Sequence, residues 1–295
     1  MMSSHASDGS CIPIRAPRHT NSTSMFDIHA PGHYCVVEDL HARWDFADHS
    51  AEGTLITINS DDVVLDLQGH TLGRGRLFKS SGSGDGISIN GHRKNITIKN
   101  GIIRDFWCAL YLADTYDLGA PDAANKENED RFPPKQLYEI PKTNIIIESI
   151  TFKNNDREIF IYGSNNIIRN NKIIRTENSG VKADGTAGPF AYGPFGRGTR
   201  ATIIAHGSSN RIENNEIILT AKNYGFQSTA IYLRDGDGTV ISGNKIVNKN
   251  EDQRNTSGIV LRNTKKVVIE NNNISDVEKD IVIIREPEER SVKKN

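Results

Sequence analysis

Short aliphatic segments separated by paired polar residues recur along most of the chain. Each copy has an aliphatic strand, a polar pair and a second aliphatic strand, and another short apolar strand precedes it. The copies are NITIKNGII (95–103), NIIIESITF (144–152), NIIRNNKII (166–174), NRIENNEII (210–218), TVISGNKIV (239–247) and KVVIENNNI (266–274), with VVLDLQGHTL (63–72) as a looser first copy. Because alternate side chains of a strand share one face, the pattern predicts a repeating coil of three short strands.

One polar residue holds a nearly constant place in the copies, just before the second aliphatic stretch. The residues are His70, Asn100, Glu148, Asn171, Asn215, Asn244 and Asn272. A basic coil of about 22 residues with insertions explains their intervals. No coil can bury its aliphatic face alone, but a stack of coils makes one continuous core. We therefore predict an all-β solenoid of about eight coils with an asparagine ladder at one turn. An antiparallel β-sandwich is the alternative, but it would not need asparagine at a fixed register.

The repeat also sets the predicted domain boundaries. Residues 1–24 have no apolar core and are predicted to be disordered. Residues 25–286 are predicted to form one β-helix domain whose first part, 25–53, is an N-terminal cap. Residues 287–295 form a charged tail. Cap and tail would protect the open strand edges at the two ends of the stack.

The start of the repeat region carries a family resemblance. APGHYCVVEDL (30–40), followed by GTLITINSDDVVLDLQGHTLGRG (53–75), resembles bacterial parallel β-helix repeat proteins of the pectate-lyase-like superfamily. The resemblance covers roughly residues 30–285. It implies a single-stranded right-handed parallel β-helix with its site on the first strand of each coil. The acidic calcium-binding and catalytic motifs of pectate lyases, the paired aspartates of polygalacturonases and the Asp-Pro-His-Asp signature of alginate epimerases are not evident in the sequence.

Four insertions adjoin the first strands of their coils, whereas the turn carrying the asparagine residues never lengthens. The insertions cover 113–142, 176–200, 221–229 and 249–257. Long loops in a compact domain are often functional, and these flank one face of the stack. We predict that they wall a groove whose floor is the first strand column. Loops that only decorate the solenoid are the alternative.

The first strands supply candidate chemistry for this groove. Alternation turns Tyr232 and Arg234 outward, and Arg262 lies one coil further on. Two stacked arginines favour an anion beside them, which could be Asp235 or a ligand carboxylate, sulfate or phosphate. Uronate elimination needs a base and a group that neutralises the carboxylate, whereas glycoside hydrolysis needs two carboxylates. The candidate catalytic residues are Asp184, His206, Tyr232, Arg234 and Asp235, and the candidate substrate-binding residues are Tyr111, Tyr162, Tyr192, Arg197, Arg200 and Arg262.

Composition narrows the classes of partner and compartment. The 36 basic and 37 acidic side chains leave the chain nearly neutral, which weighs against nucleic-acid binding. No apolar run reaches the length of a membrane-spanning helix, and the N-terminus lacks the apolar core of a signal peptide. We therefore predict no membrane partner and either a cytoplasmic or a non-classically exported protein. Cys11, Cys35 and Cys108 show neither a CxxC pair nor a disulfide framework, so each is predicted to be a free thiol.

No metal or other cofactor is predicted. Calcium takes six to eight oxygen ligands, and Asp235 with Asp237 in DGDG (235–238) supplies too few without help from a loop. The predicted partner is an acidic polysaccharide or oligosaccharide, bound and in addition cleaved if the protein is a lyase or hydrolase. The alternative is a non-catalytic scaffold or protein-interaction β-helix, and an oligomer is compatible with both.

Overall fold

The computed structural model describes residues 11–16, 24–42, 53–74, 84–106, 108–112, 140–155, 157–175, 192–193, 196–197, 199–220, 227–251 and 253–284. These residues form strands and turns and no helix. None of the described chain is thus a helix that could span a membrane.

The first strands of the coils stack into one nine-stranded parallel sheet. Its members are β2 (Ser24–Ile28), β5 (Thr54–Ile58), β8 (Asp85–Ile89), β10 (Cys108–Leu112), β12 (Arg157–Tyr162), β17 (Thr199–His206), β20 (Gln227–Arg234), β23 (Thr256–Arg262) and β26 (Lys279–Ile284). Each strand pairs with its counterpart one coil away. This first sheet carries the candidate site.

The second and third strands of the coils form a 15-stranded sheet, because β9 and β11 run through the turn between the two columns. The second column contains β1 (Ile12–Ile14), β3 (Gly32–Val36), β6 (Val63–Asp66), β9 (Ile96–Arg104), β11 (Ile146–Lys153), β13 (Ile167–Arg169), β18 (Arg211–Glu213), β21 (Val240–Ser242) and β24 (Val268–Glu270). The third adds β4 (Leu40–Ala42), β7 (Thr71–Arg74), β14 (Lys172–Arg175), β19 (Glu216–Leu219), β22 (Lys245–Asn248) and β25 (Asn273–Ser275). The architecture confirms the predicted parallel β-helix.

Alternate side chains of the three columns fill the interior. Along β6, Val63 and Leu65 are fully buried while their neighbours are half-buried, and β18 buries Ile212 between two more exposed residues. These side chains belong to one core cluster that runs from Ile14 to Leu261. Isoleucine suits this core because its branched side chain packs well on a pleated parallel sheet.

The asparagine ladder is present at the turn between the second and third columns. Asn171 donates from its backbone N and its Nδ2 to Oδ1 of Asn215, at 3.1 and 3.0 Å. Asn215 makes the same two bonds to Asn244, and Asn244 makes them to Asn272. The ladder satisfies buried amide groups on four successive coils, which would otherwise cost free energy.

Two predicted members of the ladder lie elsewhere. Glu148 pairs in register with Arg169, two positions before Asn171. Asn100 adopts a left-handed backbone, like Asn170, and lies one position before the rung. The prediction was wrong at these two residues because β9 and β11 continue through the turn, where Gly101 and Ile150 occupy the rung position.

The N-terminal region differs most from expectation. Ile12–Ile14 forms β1 and pairs in parallel with β3, within the segment 1–24 that was predicted to be disordered. A disulfide joins Cys11 to Cys35, so the prediction of free thiols at these positions was wrong. The pairing of β1 with β3 brings the two segments together, although Cys35 itself is opposite Pro13. The two cysteine Cα atoms lie 5.6 Å apart despite 24 residues of separation. Cys108 is the free, buried thiol expected from the sequence.

The segment predicted as a cap, 25–53, already contains strands of the solenoid. β2, β3 and β4 each stack on the corresponding strand of the next coil. The first sheet therefore has nine strands in the described chain, where about eight coils were expected. Within the predicted cap, the stretch HARWDFAD (41–48) is described only at His41 and Ala42.

Candidate functional site

A polar column runs along the outer surface of the first sheet at the ends of its strands. Tyr162, His206, Arg234 and Arg262 are neighbours in register on four successive coils. The residue before each of them belongs to the core, so these four side chains point away from it. The register thus places Arg234 and Arg262 one coil apart, as alternation of the sequence predicted.

An apolar column lies beside the polar one, two residues earlier in each strand. Phe160, Ile204, Tyr232 and Val260 belong to a cluster separate from the main core. Tyr111 packs against this cluster, with its ring centroid 5.2 Å from that of Phe160. The outer surface of the first sheet is therefore partly apolar, with the polar column along one side.

His206 and Asp235 form the central contact of the site. Nε2 of His206 lies 2.9 Å from Oδ2 of Asp235, and the two side chains are 1% and 5% exposed. Nε of Arg234 lies 3.5 Å from the same carboxylate oxygen. The Tyr162 ring meets the His206 ring edge-on, with centroids 5.0 Å apart. An imidazole, a carboxylate and a guanidinium thus converge from two adjacent coils.

The turn after each first strand explains how Asp235 reaches His206. Gly163, Gly207, Asp235 and Asn263 follow the strands of four successive coils, and all four have positive φ. Their backbone N–H groups donate along the stack, as from Gly207 to the carbonyl of Arg234 at 3.1 Å. Asp235 adopts the left-handed conformation at φ 49°, which asparagine and aspartate tolerate better than most residues. Its carboxylate thereby lies against the imidazole of the preceding coil.

Gly207 is required beside His206 for steric reasons. A Cβ atom at this position would lie 2.2 Å from the carbonyl oxygen of Gly163. Asn210 fixes the same turn, because its Nδ2 donates to the carbonyl of Gly207 at 2.7 Å and to that of Gly163 at 3.2 Å. The local sequence therefore makes a rigid turn that holds the end of β17 in place.

The pKa of Tyr232 is affected both by its burial and by the two arginines of the site, Arg234 and Arg262. Burial raises the pKa of Tyr232 above its ordinary value, while the positive charge of Arg262, its hydrogen bond to the phenol and the charge of Arg234 act in the opposite direction. The phenol is therefore protonated near neutral pH. In that state it can donate a proton, but it is poorly suited to be the base.

Asp237, the second acid of DGDG, stabilises the turn by a hydrogen bond to the next coil. Oδ1 of Asp237 accepts a hydrogen bond from the backbone N of Lys265 on the next coil, at 2.6 Å. Gly238 supplies a positive φ at the same turn. Across the described ranges, no three His, Cys, Asp or Glu side chains are grouped to hold a metal ion. Calcium at Asp235 and Asp237 stays an untested alternative.

The structure brings together most of the predicted site residues that it describes. His206, Tyr232, Arg234, Asp235, Tyr162 and Arg262 lie on one part of the first sheet, and Tyr111 lies three coils from Tyr232. Asp184 lies outside the described residues. Tyr192, Arg197 and Arg200 are described only as backbone, where β15 (Tyr192–Gly193) pairs antiparallel with β16 (Gly196–Arg197) and Arg200 pairs with Ser228.

The site differs from the predicted open groove in its exposure. Tyr162, His206, Tyr232, Arg234 and Asp235 are all buried, although they point away from the core. The predicted groove walls at 113–142, 176–200 and 221–229 lie largely outside the described residues. Sequence reasoning found the side chains but missed their burial and the His206–Asp235 contact. One feature of the sequence could have indicated this contact: Asp235 occupies a turn position at which two other coils have glycine.

Comparison with known proteins assigns the chain to no family. No family model matches the chain, and no curated protein matches it. A solved structure that resembles it is the A-module of a mannuronan C-5 epimerase from Azotobacter vinelandii, with 8% identity and a TM-score of 0.26 over 87% of this chain and 91% of that one. At these values the likeness supports no inference about activity. The chain is a parallel β-helix protein, and its function has to be argued from the site.

Proposed function

We propose that this β-helix binds an acidic polysaccharide over the outer surface of its first sheet and cleaves it by elimination. The observation that carries the proposal is the convergence of His206, Asp235 and Arg234, with Tyr232 and Arg262 on the adjoining positions. Such a set contains a titratable imidazole, an orienting carboxylate, cations for an anionic ligand and a protonated phenol. These groups are the ones that proton abstraction beside a carboxylate needs.

In the proposed reaction, Arg234 and Arg262 would neutralise the uronate carboxylate and so make the adjacent C5 proton more acidic. His206, held by Asp235, would accept that proton. The C5–H electron pair would form the C4–C5 double bond as the C4–O bond breaks. Tyr232 would give its proton to the departing oxygen. Hydrolysis would need a second carboxylate in addition to Asp235, and Asp184 was the only candidate from the sequence.

The test is a panel of polygalacturonate, alginate and hyaluronate incubated with the full chain. We expect one polymer to release unsaturated uronate, seen as ultraviolet absorbance and by proton NMR. His206→Ala and Arg234→Ala should each lower the rate by at least about 100-fold. Arg211→Ala is the matched control, because Arg211 lies on the second column, is more than half exposed and pairs with Glu213. Cleavage that survives both site variants would contradict the proposed roles.

A second candidate function is a non-catalytic scaffold or protein-interaction β-helix, and the burial of the site favours it. A histidine and an aspartate exposed by 1% and 5% could serve only to join neighbouring coils. In that case no polymer would be bound or cleaved, and His206→Ala would change only the unfolding free energy. Calorimetric titration of the same three polymers into folded wild-type protein separates the two candidates.

A further inference from the structure

The final described coil leaves core positions uncovered. Ile281 and Ile283 of β26 are in register with Ile259 and Leu261 of β23, which belong to the interior. Ile259 and Leu261 are 0% and 6% exposed, whereas Ile281 and Ile283 are 45% and 60% exposed. The two pairs differ because, in the described chain, a further coil is stacked on the first pair but not on the second.

The other two columns end in the same way. Ile269 of β24 and Ile274 of β25 are only partly buried, although Ile241 and Ile246 at the same register one coil earlier are fully buried. We call the surface formed by Ile269, Ile274, Ile281 and Ile283 the terminal face. In the described chain β24, β25 and β26 are each paired on one side only. The terminal face is therefore an apolar patch ringed by strand edges, a combination typical of contact surfaces.

The opposite end of the stack is built differently. There Ile14, Ile28 and Leu40 hold the equivalent interior positions and are 6%, 3% and 1% exposed. In the described part of that end these interior positions are covered, and Ile12, at 50%, is the one large aliphatic side chain exposed there, so the described structure does not favour head-to-tail stacking. Among the described surfaces, the terminal face of a second copy is the one that matches this terminal face in size and apolar character.

The residues that follow Ile284 are poor candidates to cover the terminal face. They read REPEERSVKKN (285–295), with seven charged residues, one proline and one aliphatic residue, Val292. A covering coil would need apolar side chains at alternate positions on three strands.

The rim of the terminal face suits a twofold contact. Its coil carries Lys265, Lys266 and Lys279 together with Glu270, Asp276, Glu278 and Asp280. Because both signs are present in nearly equal number, a copy rotated by a twofold axis can set lysines against acids. Such a contact uses the same surface on both copies and closes after two, so it makes a dimer and not a fibre.

We propose that the protein forms a dimer in which the terminal faces of two copies pack against each other. The full chain should show a concentration-dependent dimer in sedimentation equilibrium. The double variant Ile281→Lys/Ile283→Lys should weaken dimerisation by at least about tenfold. Ile12→Lys is the matched control, because Ile12 is 50% exposed at the other end; it should leave the dissociation constant unchanged.

A second measurement keeps the test decisive if the double variant fails to fold. A mixture of ¹⁵N-labelled and unlabelled wild-type copies, treated with an amine-reactive cross-linker, should give links between copies at Lys265, Lys266 and Lys279. A monomer at every concentration, or links between copies confined to other coils, would overturn the proposal. So would a chain lacking 285–295 that dimerises when the full chain does not, because the tail would then be the occupant.

Discussion

At the scale of single residues, the position after each first strand decides what the site contains. Glycine holds it at 163 and 207, and Asp235 and Asn263 hold it on the next two coils, always with positive φ. A carboxylate at this position reaches the imidazole of the preceding coil, at 2.9 Å. One residue of unusual backbone conformation thus supplies the acidic member of the site without any insertion.

The ionisation of Tyr232 should make the unfolding free energy depend on pH. Its pKa is raised by burial in the folded chain, whereas in the unfolded chain it is about 10. The folded chain therefore binds the phenol proton of Tyr232 more tightly than the unfolded chain does. The stability that this protonated phenol contributes is fully present below pH about 10 and is lost as the pH rises through the pKa of the folded state. As the pH rises above about 10, we expect the unfolding free energy to fall less in Tyr232→Phe than in the wild type.

Urea unfolding at a series of pH values checks this expectation. Tyr34→Phe, on the first coil, is the control and should follow the wild-type curve. Equal alkaline losses in the wild type and Tyr232→Phe would show that another group is responsible.

At the scale of elements, the asparagine ladder joins the turns of successive coils. Asn215 is the middle rung, since its Oδ1 accepts two bonds from Asn171 and its Nδ2 donates to Asn244 and to the carbonyl of Ile168. Each bond is buried. Parallel strands of three or four residues have few bonds of their own, so these side chains add cohesion between the coils.

Asn215→Ala should therefore be strongly destabilising. It leaves the backbone N of Asn171 and the carbonyl of Ile168 without their partners, and each such buried group costs about 1–3 kcal/mol. We expect a loss of about 3 kcal/mol or more in urea unfolding followed by circular dichroism. Asn273→Ala, whose side chain is exposed, should cost less than about 0.5 kcal/mol. Similar losses in the two variants would contradict the role assigned to the ladder.

At the scale of the whole molecule, the sequence predicted the stack but not the disulfide at its N-terminal end or the burial of the site. The fold follows from local signals, namely alternate aliphatic residues along the strands and asparagine at one turn on four successive coils. Glu148 was assigned to the ladder because a polar residue in the right neighbourhood cannot reveal that β11 continues through the turn. The disulfide and the burial of His206 depend on contacts between distant segments, so no local pattern contained them.

The disulfide makes a prediction about the first coil. By restricting the unfolded chain, the Cys11–Cys35 bond should contribute up to about 3 kcal/mol. Reductant should lower the melting temperature of the wild type and speed amide exchange in β1 and β3. The double variant Cys11→Ser/Cys35→Ser should already have the lower value and should not respond to reductant. A wild type that ignores reductant, with three titratable thiols, would contradict the bond.

The positive-φ position also bears on how such a site could arise. Codons for aspartate and asparagine can differ by a single nucleotide. Asp235 and Asn263 share a left-handed backbone, with φ of 49° and 51°, so an exchange between aspartate and asparagine at these two coils can add or remove a carboxylate with little disturbance of the stack. Gly163 and Gly207 leave no room for a Cβ atom, so the same change is not open to their coils. A charged group can therefore be gained or lost at such a turn during evolution without loss of the fold.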